Sequence, residues 1–141
     1  MDFINNTDHY DQHFLINEEV KKRFVLECGL SSFMEIVEVG PGKGDLTSLM
    51  ASEVKKITCI ELDERLKNTL EPLKNKFNNL EIIYGNVLDV YIPKCDKIVS
   101  ALPYSIIEPF IYKLIKCSFN EAVLIVGNKF ANNVVEKESS K

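Results

Sequence analysis

The sequence of 141 residues lacks the features that mark several protein classes. It has no long apolar run, no signal-peptide pattern and no low-complexity tract, which predicts a soluble, cytoplasmic protein without a membrane partner. Basic residues are in no excess, because the formal net charge is −4, and this balance indicates no obvious nucleic-acid partner. The length predicts one domain with a sizeable core.

Cysteine pairs at metal-binding or redox spacing are also missing. The four cysteines lie far apart and form no C-x-x-C pair. They are Cys28, Cys59, Cys95 and Cys117. Such spacing favours buried thiols over a metal site or a disulfide.

A glycine-rich segment, Glu38–Gly44, stands between a short apolar run and a helix-like stretch. A strand, a glycine turn and a helix form the unit that lets a backbone approach a nucleotide-like ligand. The spacing differs from the G-x-G-x-x-G of dinucleotide sites, because the third glycine comes one residue early. A pyrophosphate would sit badly beside Glu38 and Asp45, whereas the cationic groups of S-adenosylmethionine (SAM) suit carboxylates. The three glycines of this predicted SAM site are Gly40, Gly42 and Gly44. A glycine turn without a ligand is the alternative.

A carboxylate at the end of the next predicted strand completes this site. The apolar residues 57–60 end at Glu61, about twenty residues past the glycines, where an acid can accept hydrogen bonds from both ribose hydroxyls. Asp63 is predicted to cap the following helix, and Pro72 predicts a kink or an early end of that helix. An apolar stripe at spacings of three and four is predicted to be core. It consists of Leu62, Leu66, Leu70, Leu73 and Phe77.

Apolar strands and helices alternate along the chain. Asn17 is predicted to cap a helix that stops at Gly29. The predicted strands cover 34–39, 57–61, 80–84, 96–101 and 121–126. The other predicted helices cover 45–53, 63–76, 106–117 and a segment from Asn128. This order predicts an α/β fold with a mostly parallel sheet, helices on both faces and ligands at the carboxyl ends of the strands.

Five motifs occur along the chain in a fixed order. They are Q-H-F-L-I at 12–16, E-V-G-P-G-K-G-D-L-T at 38–47, I-E-L-D-E-R-L at 60–66, G-N-V-L at 85–88 and A-L-P-Y-S-I at 101–106. From about Asp11 to Lys141 the chain resembles the ribosomal RNA adenine dimethyltransferases, with the erythromycin-resistance methyltransferases as sister group. The resemblance implies a Rossmann-like SAM methyltransferase domain over 1–141, with an N-terminal segment and helix at 1–30 and the core at 34–141. It implies SAM-dependent methylation, without a metal, of the exocyclic amine of adenine in ribosomal RNA or a pre-ribosomal subunit.

The resemblance also implies roles for individual residues. Gln12 and His13, with Leu15, would lie at the cofactor site, near the methionine end of SAM and the target base. Asn86 and Val87 would face the adenine ring of SAM. The implied catalytic loop after the fourth strand consists of Leu102, Pro103 and Tyr104. The other implied cofactor residues are Glu38, Gly40, Gly42, Gly44, Glu61 and Leu62. The alternatives are an ordinary packed or exposed histidine at 13 and a core aromatic at 104.

Two residues depart from the family pattern. Asn86 stands where the family usually has Asp, and its carbonyl oxygen still offers an acceptor to an adenine amino group. Ala101 stands where the family has Asn, an acceptor that would orient the target amine. We expect its absence to slow methyl transfer by about 10²–10³-fold, with Ser100 or a loop carbonyl as a partial substitute.

The resemblance implies that family members continue past residues 137–141 into a closing β-hairpin and a helical RNA domain, and we expect this chain to lack both. We expect self-association through the incomplete sheet edge, or partial disorder from about Asn128, and weak, salt-dependent RNA binding. Three alternatives to a dimethyltransferase remain: a SAM-binding RNA-associated protein with weak or no catalysis, a SAM methyltransferase with a different substrate, and a remnant that binds nothing.

Overall fold

The computed structural model describes residues 17–102 and 104–126, with only the backbone of Tyr104. The strands are β1 (Glu35–Val39), β2 (Lys56–Glu61), β3 (Leu80–Tyr84), β4 (Lys97–Ala101) and β5 (Glu121–Ile125). They form one sheet in the order β3-β2-β1-β4-β5, and every neighbouring pair is parallel. The predicted α/β fold is confirmed, and each strand bound falls within one residue of its prediction.

Helices cover both faces of the sheet. They are α1 (Glu18–Glu27), α2 (Asp45–Ala51), a 3-10 turn (Glu64–Leu66), α3 (Lys67–Leu70), α4 (Leu73–Lys76) and α5 (Tyr104–Leu114). Asn17 caps α1 as predicted, because its Oδ1 accepts a hydrogen bond from the Val20 amide at 3.1 Å. Within the described ranges, no helix has the length and apolar character needed to cross a membrane. The helix predicted from Asn128 lies outside the described residues.

The single helix predicted at 63–76 is wrong, since the segment divides into the 3-10 turn, α3 and α4. Asp63 caps the first piece as predicted, and its Oδ1 accepts from the Arg65 amide at 3.0 Å. Pro72 separates α3 from α4, so the proline produces an early end, because its ring nitrogen has no hydrogen to donate to a helical bond.

The apolar stripe of this segment is core only in part. Leu70 is fully buried, and Leu66, Leu73 and Phe77 are half-buried. Leu62 is 65% exposed, so its predicted place in the core is wrong. The chain has already left the sheet at Leu62 and has not yet begun the 3-10 turn, which leaves this side chain without a layer to pack against.

Two apolar layers sandwich the sheet because strand side chains alternate between its faces. One layer, which includes Val37, Ile98 and Phe110, lies on the side of α5. The other, which includes Ile36, Ile57 and Met50, lies on the side of α1 and α2. Cys28, Cys59 and Cys95 are buried and Cys117 is half-buried, all as free thiols.

An acid is buried in the second layer. Glu38 on β1 is 2% exposed, and its Oε1 accepts hydrogen bonds from the Thr47 hydroxyl of α2 and from Cys59 Sγ of β2, the latter at 3.4 Å. Burial raises the pKa of Glu38 from 4.5 to about 7, although the two hydrogen bonds act in the opposite direction. Between these two pKa values, the Glu38 carboxyl is protonated in the folded protein and ionised in the unfolded chain.

Protein stability should consequently fall as the pH rises from about 5 to 8. In this range the folded state binds more protons than the unfolded state, so the free energy of unfolding declines, by up to roughly 3 kcal/mol from Glu38 at about 1.4 kcal/mol for each unit of pKa. Chemical denaturation at both pH values measures it. Glu38→Gln should reduce the decline without abolishing it, because burial also raises the pKa of Glu61.

Glu53→Gln is the matched control, since this exposed carboxylate lies outside the core. An equal decline in wild type and Glu38→Gln would show that Glu38 is charged throughout this range.

Candidate functional site

A cavity of about 270 Å³ lies at the carboxyl ends of the central strands. Its walls come from the turn after β1, the end of β2, the turn after β3 and the end of β4 with the start of α5. The lining residues are Val39, Gly40, Gly42, Ile60, Glu61, Leu62, Asp63, Gly85, Asn86, Val87, Ala101, Leu102 and Ile106. Open parallel sheets bind their ligands at this edge.

The glycine turn after β1 forms the wall nearest β4. Gly40 has a φ of 74°, and a Cβ there would lie 3.9 Å from the carbonyl oxygen of Ala101. The turn thus passes close to the end of β4. Gly44 has a φ of 89°, but a Cβ there would overlap Leu73 Cδ1 of α4. Gly44 is therefore a packing glycine beside α4 and is not among the cavity-lining residues.

Glu61 provides a buried carboxylate at the end of β2. It is 7% exposed, and burial raises its pKa, while backbone hydrogen bonds from Asp63, Leu62 and Gly42 act in the opposite direction. The Gly42 backbone is thus one of the groups that favour the ionised form of the acid. A carboxylate has about four lone-pair sites, so Glu61 retains capacity for at least one hydroxyl group of a ligand.

Leu62 and Asp63 form the rim beside Glu61. Leu62 exposes an apolar surface to the cavity mouth. Asp63 holds Arg65 through Oδ1 and Oδ2, with both distances 2.9 Å, and the guanidinium lowers the pKa of Asp63. Neither rim residue therefore offers a free buried carboxylate as Glu61 does. Leu62 is apolar, and Asp63 is already paired with the Arg65 guanidinium.

The turn after β3 is organised around Asn86. Its Oδ1 accepts from the Leu88 amide at 2.9 Å, and its backbone carbonyl accepts from the amides of Asp89 and Val90, both at 2.9 Å. The hydrogen bond from Leu88 identifies which end of the side-chain amide is oxygen, because a backbone N–H can only donate. Val87 is buried and packs in the layer beneath α5.

The end of β4 supplies Ala101 and Leu102. Ala101 is half-buried and pairs with Ile125 of β5, and Leu102 is 7% exposed. Ser100 does not face the cavity: it is 1% exposed, and its hydroxyl donates to the carbonyl of Val39 at 3.3 Å. Ser100 is thus engaged within the sheet, which contradicts its expected role as a substitute acceptor.

The cavity brings together most of the predicted site residues that the structure describes. Glu38 is not among its lining residues, because its side chain lies on the opposite face of the sheet, beneath α2. The predicted residues Gln12, His13, Leu15 and Pro103, and the side chain of Tyr104, lie outside the described residues. The sequence reasoning missed Val39, Ile60, Gly85 and Ile106 as lining residues and treated Asp63 as a cap only. Position at a strand end was the available signal for the first three.

No group of three His, Cys, Asp or Glu side chains within 17–102 and 104–126 is arranged to hold a metal ion. A larger groove of about 410 Å³ lies between α1 and α2. Its lining comes mainly from the sides of these helices and not from strand ends, so the smaller cavity is the better candidate site.

The sequence and the fold are similar to those of known proteins. The sequence model of the family described as ribosomal RNA adenine dimethylase matches residues 4–141. A probable ribosomal RNA small subunit methyltransferase A from Methanosarcina barkeri is 39% identical over 132 residues, which is 94% of this chain and 46% of that protein. A ribosomal RNA small subunit methyltransferase A from Malacoplasma penetrans is 37% identical over 136 residues, 92% of this chain and 49% of that protein. The chain spans about half the length of the curated relatives it matches.

Solved structures agree with this assignment. A dimethyladenosine transferase from Plasmodium falciparum superposes with a TM-score of 0.78 at 29% identity, over 84% of this chain and 45% of that one. The 23S rRNA methyltransferase ErmE superposes with a TM-score of 0.74 at 24% identity, over 82% of this chain and 48% of that one, a likeness that shows the shared fold. The chain belongs to the ribosomal RNA adenine dimethylase family.

Proposed function

We propose that this chain forms the SAM-binding and catalytic part of an adenine N6-methyltransferase that acts on ribosomal RNA. The observation that carries the proposal is the cavity in which the glycine turn, Glu61, Asn86 and Leu102 converge at one edge of the sheet. Family membership supplies the reaction class, since relatives are named as rRNA methyltransferases and a dimethyladenosine transferase. The proposal includes a cytoplasmic location, where ribosomal subunits work.

The cavity fits SAM on three grounds. Glu61 is a carboxylate largely shielded from water, and its oxygens can accept hydrogen bonds from the hydroxyl groups of a ribose. Gly40 leaves open the space that a Cβ would fill beside Ala101 and Leu102. Leu62 exposes apolar surface at the rim that a ligand would cover. Asn86 and Val87 then face the adenine ring, and SAM supplies an activated methyl group when bound. Glu38 and Gly44 would not contact SAM. They would instead stabilise the strand and the turn that carry Gly40 and Gly42.

Glu61→Ala should weaken SAM binding by roughly 1.5–3 kcal/mol, the scale of hydrogen bonds to a charged group. The physical reason is that the ribose hydroxyls lose a buried acceptor. Calorimetric titration of both proteins with SAM measures the effect.

Glu64→Ala is the matched control, because Glu64 is an exposed acid in the adjacent 3-10 turn and should bind SAM as wild type does. Equal affinity in wild type and Glu61→Ala would remove Glu61 from the site.

The residues after β4 are proposed to hold the target amine. An exocyclic amine of adenine is a weak nucleophile, because its lone pair is delocalised into the ring, and a nearby acceptor orients the lone pair by holding the amine hydrogens. Ala101 offers no side-chain acceptor, and Ser100 is buried within the sheet and is not among the cavity-lining residues. The backbone carbonyl of Ala101, which lies beside Gly40, is the remaining acceptor at this position. Leu102, Pro103 and Tyr104 make up the rest of the proposed catalytic loop.

Ala101→Asn should raise methyl transfer to unmodified small-subunit rRNA by about 10²–10³-fold, the effect of one preorganised polar group. The position is half-buried at the cavity wall, so the added amide lies where the amine must be held. Transfer of labelled methyl groups from SAM measures the rate, and SAM affinity should change little.

Ala101→Leu controls for side-chain size, since leucine has the shape of asparagine without an acceptor, and its rate should not rise. A flat rate in Ala101→Asn, with both ligands bound, would show that Ala101 does not limit catalysis.

A second candidate function is a SAM-binding, RNA-associated protein with weak or no catalysis. Ala101 is the observation that favours it, and a different methyl acceptor is favoured by the same residue. SAM binding without methyl transfer to rRNA, in wild type and in Ala101→Asn, would support the non-catalytic protein. Transfer to another substrate would support the third possibility.

Self-association is the other proposed partnership. Within the described sheet, β5 pairs only with β4 and so forms an edge, and an edge strand presents unpaired backbone groups to a second chain. Sedimentation should show dimers that increase with protein concentration, and hydrogen exchange of β5 amides should slow in parallel.

The central strand β1, which pairs with both β2 and β4, is the internal control, and its exchange should not depend on concentration. A monomer at every concentration would refute pairing through β5.

A further inference from the structure

The geometry points to Lys113 as a positioning residue for the cavity wall formed by Asn86 and Val87. Lys113 lies in the last turn of α5 and does not line the cavity. Its ammonium donates hydrogen bonds to the backbone carbonyls of Val87 and Val90. The inference rests on the proposed function, because it assigns Lys113 a part in the binding of the cofactor's adenine ring.

The turn that Lys113 contacts, residues 86–90, satisfies several of its own amides but not all of its own carbonyls. Asn86 ties the amides of Leu88, Asp89 and Val90 to its own oxygens. The carbonyls of Val87 and Val90 point the other way, toward α5, where Lys113 meets both. An ammonium has three donors in a small volume, so one side chain can satisfy two carbonyls and attach the turn to the helix.

The ammonium of Lys113 interacts with these backbone carbonyls and not with an acidic side chain of the described residues. Among the described residues its ammonium forms no ion pair with a carboxylate. Charge-assisted hydrogen bonds are shorter and stronger than those between neutral groups. A half-buried lysine bonded to carbonyls alone therefore serves as an attachment for the backbone and not as a member of a surface ion pair.

The same helix carries the opposite wall of the cavity. Helix α5 begins at Tyr104, the last residue of the proposed catalytic loop, and Ile106 in its first turn lines the cavity. Lys113 lies about two turns further on, at roughly 3.6 residues a turn. One helix, with Pro109 in its interior, thus connects the loop that would receive the target base to the turn that would receive the cofactor's adenine.

Lys113→Met tests this role, because methionine keeps the length of the apolar stem and removes the donors. With S-adenosylhomocysteine as the ligand, calorimetry should show about tenfold weaker binding, the loss expected from a charge-assisted bond. Lys113→Arg keeps donors at this position and should stay within about threefold of wild type. Lys116→Met is the matched control: it removes an exposed lysine two positions past α5 and should bind as wild type does.

Two further measurements separate positioning from general stability. In an Asn86→Ala background, Lys113→Met should change the affinity by less than about twofold, because coupled residues are not additive. Without ligand, hydrogen exchange at the amides of Leu88, Asp89 and Val90 should be about tenfold faster in Lys113→Met, while β1 and β2 exchange as in wild type. If Lys113→Met does not fold, Lys113→Gln, which keeps a neutral donor, replaces it in each measurement.

Wild-type affinity in the folded variant would overturn the inference, and so would an equal loss in the Asn86→Ala background or unchanged exchange at the turn. A wild-type protein that does not bind S-adenosylhomocysteine would contradict the proposed function. In that event the hydrogen-exchange result still decides whether Lys113 holds the turn.

Discussion

The parallel pairing of β1 with β2 on one side and β4 on the other is the constraint on which the site depends. Val39 pairs with Ile60 and with Ser100, so all three strands end at one level, and the amide of Gly40 continues the ladder by donating to Ile60 at 2.9 Å. A slip of one residue would exchange the two faces of β1. Glu38 would then enter the cavity and Val39 would lie beneath α2, without the polar partners that now hold the acid.

Three acids near the strand ends show how burial and partners assign different properties to one functional group. Glu38 has hydroxyl and thiol donors within the core, and its pKa is raised to about 7. Glu61 has backbone donors and lies at the cavity wall, with its pKa raised by burial. Asp63 is paired with Arg65 outside the core, which lowers its pKa. A cationic ligand beside Glu61 would favour its ionised form and offset part of the cost of burial.

The sequence predicts the strands well because apolar runs between turn residues are a local signal, and Glu61 is predictable because it follows such a run directly. The side on which a residue lies is harder to predict. Glu38 and Val39 are neighbours, yet only the pleat of β1 sends one to α2 and the other to the cavity. Leu62 fits the spacing of a helical stripe, but the helix begins after it. The hydrogen bonds of Lys113 join residues that are 23 and 26 positions apart in the sequence, so no local pattern predicts them. The available signal is a lysine among the apolar residues Phe110, Ile111 and Leu114.

Asn86 and Ala101, the two residues at the cavity wall that the resemblance marks as departures from the family pattern, are compatible with the backbone geometry of the site and differ from that pattern in their polar groups. At position 86 the hydrogen bond from Leu88 requires an oxygen, which Asn and Asp both have, so the turn forms with either residue. Asp would present a second oxygen, whereas Asn86 presents an amide that donates. An adenine amine near this side chain must therefore share the oxygen already bonded to Leu88. At position 101 alanine maintains the pairing with Ile125 and supplies no acceptor. Under the proposed function, the fold retains the shape of the site while the side-chain contacts of residue 86 to the cofactor's adenine and of residue 101 to the target adenine would be weaker. The backbone carbonyls at the strand ends would then be the acceptors that do not depend on side-chain identity.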